Sequence, residues 1–224
     1  MILLRSCFEV TGRIRFLSHL DLLKVLERAL RRADLPVAFS QGFNPHPKIA
    51  FGSARAVGLA SECEYFDVEL DRYVPPADFR QRLQEQCPCG LVIKETREIS
   101  PASPPLMAVI NCASYRVMVQ SPFPFTQEEL DQKMDRLFDK KEIVVERVSP
   151  KGRKTYDIRP GIFSLTAQAL PEGALFHMDV AVGNEGNVRP GEVITALALE
   201  GEMGAITRTG LFIRNVGGEK VAPW

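Results

Sequence analysis

Residues 18–36, SHLDLLKVLERALRRADLP, decide how the rest of the chain is read. Leu22, Leu23, Leu26, Ala29, Leu30 and Ala33 recur at helical spacing, which predicts an amphipathic helix over 19–33. Ser18 stands at its head with Asp21 three residues on, the spacing of a capping box with Asp in place of the usual Glu. The Ser18 hydroxyl takes a first-turn amide, and the Asp21 carboxylate suits the positive end of the helix. Leu35-Pro36 ends it, because a residue before proline is pushed out of the α region. Lys24, Arg28, Arg31 and Arg32 fall on the opposite side. One face is therefore suited to pack on a sheet, and the other is a basic ridge.

Strand-like segments flank this helix. Residues 2–10 (ILLRSCFEV) and 13–17 (RIRFL) have strand character on either side of a turn at Thr11-Gly12. Alternation places Arg13 and Arg15 on one face of that second strand. Residues 49–54 and 65–70 read as strands, Pro75-Pro76 opens a helix over 76–86, and 91–98 is a closing strand. The order β-α-β-β-α-β is the ferredoxin-like pattern. Residues 100–112, with Pro101, Pro104 and Pro105, read as an interdomain linker. The pattern then restarts. A strand over 115–120 precedes a helix over 127–138, whose cap Thr126 and third residue Glu129 complete a capping box. A strand over 143–148, a basic turn at Lys151-Gly152-Arg153-Lys154, an extended 155–158 and paired strands over 162–168 and 175–182 follow. Pro190 opens a helix over 190–199, and 206–214 is the last strand. The expected fold is α+β, with two tandem ferredoxin-like (βαββαβ) domains, 1–99 and 113–224, the second with additional strand material.

Composition bounds the function. The chain has 224 residues, 45% hydrophobic and 25% charged, which excludes disordered and collagen-like classes. Lys plus Arg and Asp plus Glu number 28 each, so nucleic-acid binding must rest on a local patch. Such a patch exists. Residues 1–60 hold nine Lys/Arg against four Asp/Glu, whereas 61–100 hold five against nine. The apolar run at the start is too short for a signal peptide and no stretch suits a membrane helix, so a cytoplasmic protein without membrane contact is expected. Five irregularly spaced cysteines argue against a disulfide framework. There is no Walker A, GxGxxG or GxSxG motif. Cys87-Pro88-Cys89 is the one close cysteine pair and lacks the doubled spacing of a structural zinc site.

TGRIRFLSHLDLLKVLERALRRADLPVAFSQGFNPHPKIAFG at 11–52, EYFDVEL at 64–70, YDIRPGI at 156–162, RPGEVITAL at 189–197 and RTGLFI at 208–213 together resemble a bacterial family of unknown function, the radical-SAM-linked proteins. The resemblance implies a separate B12-binding-type radical SAM protein as partner, and a setting in RNA or ribosome biology. The chain has no C-x₃-C-x₂-C run, so it cannot itself hold a radical SAM cluster; no cofactor or metal of its own is expected. A fainter, fold-level resemblance is to the repeat-associated RNA-binding proteins of CRISPR systems. It rests on the glycines of residues 201–211 before the last strand.

RNA contacts are expected from Arg13, Arg15, Lys24, Arg28, Arg31, Arg32, Lys48 and Arg55 of the basic third, whose cations suit phosphate. The loop Gly42–Lys48, stiffened by Pro45 and Pro47, adds Phe43, Asn44 and His46. Phe39 and Phe43 are open between core packing and stacking on unpaired bases. Arg159 and Arg189, each followed by proline, and Arg208 suit a phosphate or a structural ion pair. The expected function is an accessory module, without catalytic activity of its own, that presents RNA to a radical SAM enzyme. The alternatives are a docking module for that enzyme that touches no RNA, and a metal-independent endoribonuclease with His19 or His46 as general base.

Overall fold

The computed structural model describes residues 2–150, 152–183 and 186–224. Its first elements are β1 (Ile2–Val10), α1 (His19–Arg32), β2 (Ile49–Phe51), β3 (Ala60–Leu70), α2 (Pro76–Gln86) and β4 (Leu91–Ile99). β1 pairs antiparallel with β3 and β4, and β2 pairs antiparallel with β3, giving the strand order β4-β1-β3-β2. Leu4 lies opposite Val68 and Ser6 opposite Phe66. Alternation along the strands sends Leu4, Phe8, Val10, Phe66, Val68 and Leu70 into one core with Leu22, Leu26 and Leu30 of α1 and Phe79 and Leu83 of α2. Phe8 stands 5.9 Å from Phe51 and 5.6 Å from Phe66, ring to ring. Each such side chain, fully buried, contributes about 1.5–3 kcal/mol. The other face of β1 and β3 buries Arg5 with Asp67. Its guanidinium donates to both Asp67 carboxylate oxygens at 2.7 and 2.8 Å and to the Pro223 carbonyl at 2.5 Å.

The short helix α3 (Leu106–Val109) follows, and then β5 (Cys112–Gln120), α4 (Gln127–Phe138), β6 (Val144–Ser149), β7 (Gly152–Asp157), β8 (Ile162–Leu170), β9 (Gly173–Ala181), α5 (Pro190–Ala196), β10 (Glu202–Arg214) and β11 (Lys220–Val221). Here the strand order is β10-β5-β9-β8, and β6 and β7 form a separate hairpin. With that hairpin set aside, the connections again run β-α-β-β-α-β, with the same spatial order of last, first, third and second strand. The capping box at α4 is formed. Thr126 Oγ1 accepts the Glu129 amide at 3.2 Å, and the Glu129 carboxylate accepts the Thr126 amide at 2.9 Å.

The chain divides into two compact units, Met1–Ile110 with Gly210–Trp224, and Asn111–Thr209. The sequence reading put 113–224 together. The structure assigns the end of β10 and the tail to unit 1, where Pro223 meets Arg5 and the Trp224 ring lies 5.3 Å from Tyr65. Nor is the proline-rich stretch free linker throughout, since α3 buries Leu106 and Ile110 is buried just after it.

Local differences have local causes. Residues 13–17, expected as a strand after a turn at Thr11-Gly12, lie instead mostly in a 3₁₀ helix, Gly12–Phe16: Gly12 takes φ +56° and Ile14 turns into the core. The second strand stops at Phe51 and the helix at 190 stops at Ala196. Of the expected basic turn, Lys151 lies outside the described residues, and Gly152, Arg153 and Lys154 belong to β7. Among the described residues no helix is long and apolar enough to cross a membrane.

Candidate nucleic-acid interface

The basic residues of unit 1 are positioned by the start of α1 and by the elements around it. Ser18 caps the helix by accepting the Asp21 amide at 3.2 Å, and its hydroxyl donates to the Asp21 carboxylate at 2.6 Å. Burial of Leu22, Leu26, Ala29 and Leu30 fixes the rotation of the helix about its axis. Lys24, Arg28 and Arg31 must then point to solvent. Among the described residues none of these three makes an ion pair or a hydrogen bond. They recur every three to four positions, so they form one stripe about 10 Å long at 1.5 Å per residue.

Arg32 shares the exposed face, but its Nη2 donates to the Gln86 carbonyl at the end of α2, 2.6 Å away. Arg82 of α2 reciprocates, donating to the carbonyls of Ala33 and Asp34. These two arginines satisfy helix-end carbonyls that would otherwise be orphaned.

Arg13 and Arg15 do not alternate along a strand, because their segment is the 3₁₀ helix. Arg13 is exposed. Arg15 is half-buried, with its guanidinium 4.8 Å above the ring of its neighbour Phe16 and its Nε without a hydrogen-bond partner.

Arg55 is a correction to the expected phosphate-binding set. Its side chain is 6% exposed, and it donates to the carbonyls of Arg15 at 2.7 Å, Ala56 at 3.1 Å, Leu59 at 2.5 Å and Leu17 at 3.2 Å. It braces the segment that carries Arg13 and Arg15 and is not available to a ligand. Lys48 is exposed but paired, its Nζ 2.8 and 3.0 Å from the two carboxylate oxygens of Glu69.

The loop between α1 and β2 is closed by its own backbone. The Ser40 amide donates to the His46 carbonyl at 2.8 Å, and the His46 amide donates to Ser40 Oγ at 3.0 Å. Gly42 adopts φ +130°, a conformation other residues avoid, and so turns the tip. Phe43 and Asn44 are thereby held out in water, with Phe43 106% exposed. That removes core packing as a role for Phe43. Phe39, at 44%, is only partly withdrawn. His46 lies on the same loop, whereas His19 packs in a T-shaped contact with Phe51, the ring centroids 4.9 Å apart. Among the described residues no three His, Cys, Asp or Glu side chains converge as metal ligands. Burial pushes the Cys87 thiol up to about 11, and Cys89 is exposed.

The three expected arginines of unit 2 have separate environments. Arg159 donates to the Phe138 carbonyl at 3.0 and 3.3 Å, closing the end of α4. Arg208 is buried and donates to the Tyr115 hydroxyl at 3.2 Å. Arg189 is exposed at the head of α5, with its Nε 4.0 Å from Glu192. It lines a cleft of about 770 Å³ between the β6–β7 hairpin and α5, with Lys140, Glu142, Glu146 and Glu192. That mixture of signs does not favour an anion as the unit 1 stripe does.

Two pairs escaped the sequence reading. Arg147 holds Glu192 at 2.7 and 2.6 Å and stacks 4.7 Å from the Tyr156 ring. Burial raises the Glu192 carboxyl, but the Arg147 bond and the Arg189 amide outweigh it and hold the group below the ordinary glutamate value. Arg5 with Asp67 left a faint signal: one cation inside the apolar run ILLRSCFEV and one anion inside YFDVEL.

Comparison with known structures shows the fold. The chain matches one from "Crystal Structure of a Cbf5-Nop10-Gar1 Complex" with TM-score 0.52 and 11% identity, over 91% of this chain and 48% of that one. It also matches chains from "Structure of H/ACA RNP bound to a substrate RNA containing 2'-deoxyuridine" (TM-score 0.49, 11% identity) and from the archaeal box H/ACA sRNP Nop10-Cbf5 complex (0.47, 10%). Each is covered over 91% of this chain and 46% of the other, so the chain spans about half the length of these proteins. No curated protein matches it in sequence. A family model described as "Uncharacterized protein conserved in bacteria (DUF2344)" matches residues 4–190.

Proposed function

The chain belongs to the DUF2344 family of conserved bacterial proteins, and we propose that it binds RNA through unit 1 and presents it to a separate radical SAM enzyme. The observation that carries the RNA reading is the stripe of Lys24, Arg28 and Arg31, exposed and without intramolecular partners. Cations left unpaired on a rigid helix cost little to reorganise when they meet phosphates. Arg13 extends the set, and Phe43 at the tip of a closed loop offers a face for an unpaired base. The radical SAM partner rests on the sequence resemblance of residues 11–52 and the later segments. We read both units as ferredoxin-like on their shared strand order, the second with the β6–β7 hairpin as its additional strands.

The test is binding of a labelled single-stranded RNA at several salt concentrations, to the native protein and to a variant with Lys24, Arg28 and Arg31 each changed to Glu. Phosphate contacts on single strands add about 0.7 each to the slope of log affinity against log salt, so the variant should lose about 2 from that slope. The substituted side chains are exposed, so the fold should survive. Salt-independent binding, or an unchanged slope in the variant, overturns the reading. A second reading, a protein-docking module, is favoured by Phe16, Leu20 and Val57, which are 58%, 66% and 62% exposed. Nuclease-resistant co-purification with the radical SAM protein, lost on changing Leu20 to Asp, would support it.

A further inference from the structure

Cys7 on β1 and Cys63 on β3 project from the sheet face that also holds Arg5 and Asp67. Cys7 lies opposite Tyr65 in the strand register, and Cys63 is the diagonal neighbour, two residues before Tyr65. The register shifts between Phe8 and Val10, next to this pair. The two sulfurs stand 2.6 Å apart. The Tyr65 side chain neighbours both. The Lys94 ammonium is close by, held by the Glu62 carbonyl at 2.7 Å and by Glu9 at 3.2 Å. Cys7 is buried and Cys63 is partly exposed. None of these groups belongs to the proposed RNA surface.

We infer that Cys7 and Cys63 are a peroxide-sensitive dithiol that closes to a disulfide between β1 and β3. The required bond is about 2.05 Å, so the sulfurs have about half an ångström to travel within strands already paired. The two thiols are unequal. The hydrogen bond the two sulfurs share holds the Cys63 thiol below its ordinary value and, together with burial, holds the Cys7 thiol above it. Cys63 is therefore both the accessible sulfur and the one that ionises first. Its thiolate attacks one oxygen of hydrogen peroxide. The O–O bond breaks, leaving Cys63 as the sulfenic acid and releasing hydroxide, which takes up a proton. The Cys7 sulfur then displaces the sulfenic oxygen, its proton leaving with that oxygen as water. Two thiols and one peroxide become one disulfide and two waters. A dithiol reductant reverses the change.

The test uses the full chain, fully reduced, treated with equimolar hydrogen peroxide, alkylated and mapped by mass spectrometry. The expected result is a Cys7–Cys63 cross-linked peptide, with Cys87, Cys89 and Cys112 still alkylated and the cross-link removed by dithiothreitol. Cys7→Ser should instead leave a sulfenic acid on Cys63 that dimedone traps. Oxidation of Cys89 while Cys7 and Cys63 remain free, or sulfinic acid on Cys63 without cross-link, overturns the inference. The native protein decides the question by itself, whether or not a variant folds. The single tryptophan, Trp224, lies against Tyr65 and supplies a fluorescence signal that should change and recover with the cross-link.

Discussion

Replacing Arg55 with alanine should destabilise unit 1 by about 3–4 kcal/mol, although the residue contacts no ligand. Its guanidinium meets four carbonyls, those of Arg15, Leu17, Ala56 and Leu59. Nη1 has two hydrogens for three of these acceptors and Nη2 serves the fourth, so about three full bonds are at stake. Hydrogen bonds to a charged group contribute roughly 1.5–3 kcal/mol each, which sets a gross value of about 5–9 kcal/mol. Desolvation of a guanidinium that is 6% exposed offsets much of that. Urea unfolding followed by Trp224 fluorescence measures the difference. Hydrogen exchange at the Gly58 amide gives a local reading, because that amide donates to the same Arg15 carbonyl at 2.9 Å. Arg55→Lys should recover less than half, since one ammonium cannot span carbonyls on both sides of the brace. A loss below about 1 kcal/mol, or full rescue by lysine, would refute the brace and return Arg55 to the set of available cations.

Three further outcomes are expected. Asp67→Asn leaves Arg5 buried without a counter-charge and should cost about 3–5 kcal/mol; release of the tail at Pro223 would appear as a red shift of Trp224 emission. The Glu192 carboxyl is held below its unfolded value by Arg147, so the pair adds stability above about pH 4.3 and loses it as pH falls through the lower folded value. Denaturation of the native protein and of Glu192→Gln should therefore differ at pH 7 and converge once pH falls below the lowered folded value; a constant difference would remove the ion pair as its cause. Phe43→Ala should leave the unfolding midpoint unchanged, given its complete exposure, and weaken RNA binding by about 1–3 kcal/mol; equal affinity by fluorescence anisotropy would exclude stacking.

Much of the local structure was legible because local chemistry decides it. Ser18 and Thr126 could be read as helix caps, Pro76 and Pro190 as first-turn residues, and the stripe of Leu22, Leu26 and Leu30 as a buried face. The stripe of free cations followed, since burial of one side of α1 dictates what the other side shows. The 3₁₀ segment was misread because Arg13-Ile14-Arg15-Phe16 alternates like a strand, while its backbone obeys Gly12 and the burial of Ile14.

Charge and spacing alone determined that unit 1 carries an amphipathic helix with an exposed basic side. Those features depend on 3.6-residue periodicity and on caps a few residues away. Which cations remain available was decided only by the tertiary structure. Arg55 and Lys48 look as free in sequence as Arg28, yet one is spent on backbone carbonyls and the other on Glu69. The same holds for the Cys7–Cys63 pair and for the return of the tail to unit 1. These contacts join residues 56 and 218 positions apart. Strand pairing sets such distances, and no periodicity within a short window records them.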